Sequence, residues 1–404
     1  MLLKSSRVTL TSNVRVVICR SNPIDPDPRV EKIARALCST GYTVHLLGWD
    51  RTGRLPEKTE LAGPDRSIPI SRLPLTAPFG HGLANLPNLL RWQWGLLRWL
   101  AHHHQEYDLI HACDFDTVLP ALFCKWRWDK KVIYDIFDFY SDHLRATPKL
   151  IKRLVRSVDI YAIDRADALI LADDSRWQQI AGARPKRSAV IYNSPAQEFS
   201  NGPVQQSQPS QTDETLHLAY IGLLQVERGL LEMLAVLKKH PNWSLDLAGF
   251  GGDEDQILAA QQTLPNVHWH GRVPYEQALR LSQAADVLFA TYDPAIPNHR
   301  FSSPNKVFEA MMLAKPIIVA RDTNMDRIIE QAECGLVVPY GDISSLEQAL
   351  QNLEDDPRLR QRLGQNAYQA YQGTYSWTKM EERLGNLYAQ VTGPAESNMA
   401  EHDD

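Results

Sequence analysis

The chain has 404 residues, enough for two or three domains that each bury a core of their own. Apolar residues make up 44% and charged residues 23%, a balance that excludes a disordered, collagen-like or disulfide-framework chain. With 43 Lys+Arg against 48 Asp+Glu, the net charge of −5 lacks the basic footprint of a nucleic-acid binder.

Short apolar runs alternate with helical patterns, the rhythm of βαβ units and parallel sheets. Val14–Cys19 reads as the first strand. A Pro/Asp-rich loop, Asn22–Pro28, precedes a helical pattern through Val30, Ile33, Ala34 and Leu37, with Gly41 as its C-terminal cap. Thr43–Leu47, Leu109–Ala112, Lys131–Tyr134, Ala168–Leu171 and Ala189–Tyr192 continue the strand series. The stretch Gln197–Glu214 is rich in Gln, Ser, Pro and Asn without periodicity and reads as a linker. Beyond it the alternation restarts with Leu216–Ile221, Ser244–Ala248, Val267–His270, Asp286–Ala290, Pro316–Ala320 and Gly335–Val338. Helical patterns follow at Leu346–Leu353 and Pro357–Tyr371. The expected organisation is an N-terminal domain 1–196, a linker 197–214, a C-terminal domain 215–392 and a disordered tail 393–404. Two doubly wound α/β domains joined this way predict a ligand in an inter-domain cleft, at strand carboxyl ends.

Cys19, Cys38, Cys113, Cys124 and Cys334 are odd in number and form no C-x-x-C pair, so reduced thiols are expected rather than zinc or disulfides. The N-terminal stretch lacks the long apolar core of a signal peptide, and no run of 18 apolar residues occurs. A cytoplasmic protein is the expectation.

Four segments carry candidate chemistry. In Ser303-Pro-Asn-Lys-Val-Phe-Glu309, Ser303 reads as an N-cap and Pro304 as the first helical residue. Lys306 then sits in the first turn, where a cation opposes the helix dipole, and Glu309 lies one turn on. An exposed Lys–Glu pair is the plain explanation. The functional one is that helix amides and Lys306 bind a diphosphate while Glu309 accepts ribose hydroxyls. Next, the strand Ala219–Gly222 ends at a glycine, and Arg228 opens the helical pattern Leu230–Leu237 as a second phosphate clamp or a solvated helix start. The glycines of Gly249-Phe-Gly-Gly252 read as a tight βα turn. Leu86–Leu100 carries Trp92, Trp94 and Trp99 with Arg91 and Arg98, the composition of a core helix or of a peripheral membrane contact. Asp25-Pro-Asp27 and Asp114-Phe-Asp116 share the D-x-D form of metal-dependent enzymes, yet Asp and Pro in loops are usually turn chemistry. His102–His104 points in divergent directions along a helix end, so no metal is expected there.

Over residues 14–390 the chain resembles the retaining glycosyltransferases of family four, with the GT-B fold of two Rossmann-like domains. Ser303–Ala320 is similar to that family's donor helix, Tyr220–Leu230 to its diphosphate loop, and His270–Gln277 to its base-reading segment. The resemblance implies donor binding by Gly222, Arg228, Arg272, Val273, Pro304, Asn305, Lys306 and Glu309. It implies catalytic roles for Arg228, Lys306 and, on the acceptor side, Asp138, and neither metal nor other cofactor. The nucleotide-sugar would be a substrate, and a hydroxyl of a glycan, lipid-linked or small molecule the acceptor. The chain departs from the family at Phe301, Leu223 and Phe137, where a Glu, an Arg and a His are common. A non-catalytic sugar-nucleotide binding subunit, or another GT-B enzyme such as an inverting transferase or epimerase, is the alternative.

Overall fold

The computed structural model describes residues 14–78, 85–143, 147–196 and 215–393, so the whole of the expected linker, and the expected tail apart from Gly393, lie outside the described residues. Contacts divide the chain into two units: residues up to Ile191 together with those from Glu381 onward, and Tyr192–Met380.

The first unit holds eight strands: β1 Arg15–Arg20, β2 Thr43–Asp50, β3 Lys58–Leu61, β4 Ile68–Pro74, β5 Leu109–Cys113, β6 Lys131–Ile136, β7 Ala168–Leu171 and β8 Ser188–Val190. They lie in the order β3-β4-β2-β1-β5-β6-β7-β8, all parallel except the β3–β4 pair. The near-continuous apolar runs of β5 and β7 follow from burial on both faces, as parallel sheets require. The sequence reading missed β3 and β4. β3 is mostly polar, and Pro69 and Pro74 interrupt β4, which still alternates buried Ile68, Ile70 and Arg72 with outward residues. The helix Pro28–Ser39 starts where Asp27 Oδ1 accepts the Val30 amide at 3.2 Å, with a proline in its first turn.

Within Leu86–His102, the indole of Trp92 is fully buried and stacks on Trp49 at 5.2 Å between ring centroids. Trp99 stacks on His103 at 4.0 Å. Of the three tryptophans read together there, only Trp94 faces outward, because the helix turns 92, 96 and 100 to the core.

The C-terminal domain read as ending at 392 differs from the second unit, which ends at Met380. The reason is local packing: the Tyr388 hydroxyl meets His111 Nδ1 at 2.7 Å, and Arg383 donates to the Val190 carbonyl at 3.1 Å.

A buried carboxyl makes the first unit pH-sensitive. Burial pushes Asp159 up to about 7, although the Tyr134 hydroxyl donates to it at 2.7 Å. The unfolded chain ionises this group at a lower pH, so unfolding releases a proton in between, and stability falls as pH rises through that interval. Asp159→Asn should flatten the slope and stabilise the unit above it by about 2 kcal/mol. Urea melts on both sides of the interval measure this; an unchanged slope would refute it.

The second unit holds β9 His217–Leu223, β10 Ser244–Phe250, β11 Val267–Trp269, β12 Val287–Ala290, β13 Ile317–Ala320 and β14 Gly335–Val338. The order β11-β10-β9-β12-β13-β14 is parallel throughout. Its core joins Leu218, Tyr220, Leu245, Leu247 and Phe289 to the inner faces of the helices Leu230–Lys239 and Ile343–Asp355. The chain runs from β9 outward to β11, then crosses to β12 on the other side of β9. The topological switch point is thus the gap between the carboxyl ends of β9 and β12, where open α/β sheets bind ligands.

Candidate active site

Gly222 lies near the end of β9, and its backbone, at φ 152°, favours glycine. A β-carbon there would sit 2.6 Å from Lys306 Nζ, so glycine makes room for the ammonium. Lys306 enters from the helix Asn305–Met312, which leads into β13. Its side chain is buried, with Nζ 3.8 Å from the centroid of the Tyr220 ring.

Arg228 ends a 3-10 turn, Val226–Arg228, that follows β9. Gly229 takes φ 70° after it and abuts Thr291, which fixes where the turn stops. The guanidinium donates from Nη1 to the Tyr292 hydroxyl at 2.8 Å and from Nε to Gln225 at 3.0 Å. It also lies 4.5 Å from the centroid of the Tyr292 ring. The switch point therefore gathers Gly222, Arg228 and Lys306 around Tyr220 and Tyr292.

Electrostatics follow from that crowding. Burial, with Arg228 close by, draws the Lys306 ammonium below its ordinary value, against the opposing pull of Tyr292. Burial alone would raise Tyr292, but Lys306 and Arg228 outweigh it and hold its hydroxyl below the usual phenol range. Among the described residues, neither cation has a carboxylate ion pair. Tyr292 is the residue that sequence reasoning missed. Its signal was a tyrosine just past an apolar strand, where a core residue is the ordinary assumption.

The helix start differs from expectation. Pro304 is extended and occupies the cap position, one place before the first helical residue, and Ser303 makes no capping bond. The Ser303 hydroxyl is buried with no partner among the described residues. Asn305 is exposed. Glu309 is half-buried, hydrogen-bonds to the Tyr275 hydroxyl and pulls the Lys306 ammonium upward through its charge. Arg272 and Val273 follow β11 on the same carboxyl edge. The Arg272 guanidinium is exposed and lies 4.5 Å from the centroid of the Phe250 ring. Of the departures in this unit, Leu223 is exposed and Phe301 half-buried.

Asp138 belongs to the first unit, where it pairs with the buried Arg176 at 2.9 Å. The Arg176 side chain is buried, while the Asp138 side chain stays partly exposed. Phe137 lies between two guanidiniums, Arg20 at 4.0 Å and Arg29 at 4.7 Å from its centroid. The D-x-D segments are accounted for locally. Asp27 caps a helix and binds Arg20, and Asp114 pairs with Arg20 and accepts the Phe137 amide at 2.8 Å. No group of three or more His, Cys, Asp or Glu among the described residues is arranged to hold a metal ion.

Comparison with known proteins gives this edge its context. The sequence model for glycosyl transferases group 1 matches residues 205–370, and that for the glycosyl transferase 4-like domain matches residues 26–193. Each unit thus carries its own glycosyltransferase signature. The chain is a GT-B glycosyltransferase of the family-four type. This transferase is 22% identical over 386 residues to the D-inositol 3-phosphate glycosyltransferase of Corynebacterium diphtheriae, covering 89% of this chain and 88% of that one. It is 31% identical to the α-D-kanosaminyltransferase of Streptomyces kanamyceticus over 44% of this chain and 47% of the relative. Sucrose-phosphate synthase from Thermosynechococcus elongatus shares the fold at a TM-score of 0.76 and 17% identity, covering 94% and 99% of the two chains. Anabaena HepE, solved with UDP and glucose, does so at 0.67 and 16%, covering 94% of this chain and 100% of that one. The transferase uses a nucleotide-sugar donor. No helix among the described residues is long and apolar enough to cross a membrane.

Proposed function

We propose that the transferase binds the donor diphosphate between Arg228 and Lys306 and moves the sugar to a hydroxyl acceptor with retention of anomeric configuration. The carrying observation is the cation pair at the switch point. Buried Lys306 and half-buried Arg228 both face the Tyr292 ring, at 5.8 Å and 4.5 Å from its centroid, with no carboxylate ion pair on either among the described residues, and they repel each other there. A diphosphate relieves that repulsion, and as it leaves the sugar its growing charge meets groups already in place. The unpartnered Ser303 hydroxyl at the helix entrance suits a further phosphate or sugar contact.

Glu309, steadied by Tyr275, is the ribose acceptor in this reading, and the loop of Arg272 and Val273 faces the base. Retention follows from the family resemblance. A donor phosphate oxygen takes the acceptor proton on the face that the leaving group vacates, and no covalent enzyme intermediate is required. Asp138 stays on the acceptor side as a positioning carboxylate.

A panel of nucleoside diphosphates and their sugars, UDP first, tests the reading by thermal stabilisation. A ligand at 100 times its Kd should add about 2.7 kcal/mol. Product anomers read by NMR then test retention; an inverted product would overturn it. Glu309→Ala should weaken the free nucleoside diphosphate by about 1.5–3 kcal/mol for each lost ribose bond, measured by calorimetric titration. Unchanged affinity would remove Glu309 from the site. Donor binding and transfer should also survive EDTA, because side chains supply the charge compensation. Activity lost to EDTA and restored by Mn²⁺ or Mg²⁺ would count against the cation-pair reading.

A further inference from the structure

Three helices cover one face of the first sheet and share its core: Leu86–His102, Phe115–Trp128 and Lys149–Arg165. They bridge β4 to β5, β5 to β6 and β6 to β7 in turn, so they lie side by side. Their inner faces fill the core, as amphipathic helices do. Their outer faces are apolar as well. Leu86, Leu90 and Trp94 recur every fourth residue, and Trp94 is 69% exposed. On the next helix Phe123 and Trp126 are exposed, Trp126 to 78%. On the third, Leu150, Leu154 and Tyr161 follow the same stripe, with Leu150 at 78%.

The charges are equally one-sided. In a chain of net charge −5, these three helices carry nine Lys and Arg against three Asp. Asp116 and Asp159 are buried, and Asp164 accepts the Arg184 amide. The outward face thus offers Trp, Leu and cations such as Arg91, Arg98, Arg127 and Arg153, and no carboxylate left over from these contacts. Monomeric proteins seldom expose so continuous an apolar surface without a partner. A polyanion such as RNA would satisfy the cations but not Leu150 or Leu154. Leu and Trp stripes bordered by Lys and Arg satisfy both requirements in the headgroup layer of an anionic bilayer.

We infer that this three-helix face docks the transferase on an anionic membrane surface, with Trp94, Trp126, Leu150 and Leu154 entering the interface. The docking tryptophans are Trp94 and Trp126, since Trp92 belongs to the core. The inference stands apart from the donor site and needs no nucleotide.

Co-sedimentation of the full chain with vesicles tests it. Binding is expected to vesicles of phosphatidylglycerol and phosphatidylcholine in roughly equal parts, to weaken with added salt, and to be at least about tenfold weaker for pure phosphatidylcholine. Trp94→Ser with Trp126→Ser, and separately Leu150→Ser with Leu154→Ser, should each weaken it about tenfold. All four are surface positions, and unchanged thermal melts would show that the fold persists. Trp177→Ser removes an exposed tryptophan from another helix, Arg176–Gln179, and should leave binding unchanged. Failure to bind anionic vesicles overturns the inference, as does binding indifferent to both pairs. So does a stable dimer, or retention on RNA, that the same variants abolish while vesicle binding persists.

Discussion

Lys306→Ala should slow transfer by about 10²–10³, the scale of removing one preorganised group that stabilises developing negative charge. The effect belongs mainly to kcat, because the charge on the diphosphate grows as the bond to the sugar breaks. Arg228→Ala should act alike, and the double variant should lose less than the two losses combined, since both cations face one diphosphate. Tyr292→Phe offers a finer measurement. It keeps the ring beneath Arg228 but removes the hydroxyl that receives Nη1 at 2.8 Å. If that hydroxyl aims the guanidinium, kcat falls more than KM rises, while thermal stability changes little. Steady-state kinetics with the best donor separates these outcomes. Were Lys306 and Glu309 only a surface pair, either alanine would cost under about 1 kcal/mol of stability and leave the rate alone.

Arg29→Met is expected to destabilise the first unit by about 3–5 kcal/mol. Asp135 is fully buried, and Arg29 Nη2 reaches it at 2.9 Å while His111 Nε2 lies at 3.3 Å. Burial would raise the Asp135 carboxyl, but Arg29 and then His111 hold it below its ordinary value. Its contribution is therefore present above the carboxylate range and lost as pH falls. Without the guanidinium, burial acts unopposed and the carboxyl rises instead. The loss should be largest at neutral pH and shrink in acid, where the buried group takes up a proton. Arg29→Met combined with Asp135→Leu should recover much of the stability, because the isolated charge is what costs. Urea unfolding at neutral and acid pH decides this; an equal loss at both would exclude the charge mechanism.

Most strands were legible because parallel strands covered on both faces become short apolar runs, as at Ala168–Leu171 and Ile317–Ala320. Where a strand met solvent or carried proline, as at Lys58–Leu61 and Ile68–Pro74, that signal vanished. Spacing placed Lys306 and Glu309 on one helix, but it could not show that Glu309 bonds to Tyr275, a residue 34 positions earlier in the numbering. Nor could it reveal Tyr292, whose significance arises only when β9 and β12 become neighbours. The tryptophans of Leu86–Leu100 show the converse. The composition was informative, and the helical phase decided which ring was core and which surface.

The return of the chain from Glu381 to the first unit bears on the order of synthesis. At roughly 5–20 residues per second, the ribosome releases β1 to β8 well before the terminal helix. Until Tyr388 emerges, His111 lacks the hydroxyl that meets its Nδ1, and Tyr42 lacks the ring that packs edge-on against it at 5.3 Å. The uninterrupted segment Tyr192–Met380 has no such wait. The half that begins the polypeptide is thus the last to be completed. A nonsense codon shortly after Met380 would leave the donor-side residues intact and harm the opposite half of the enzyme.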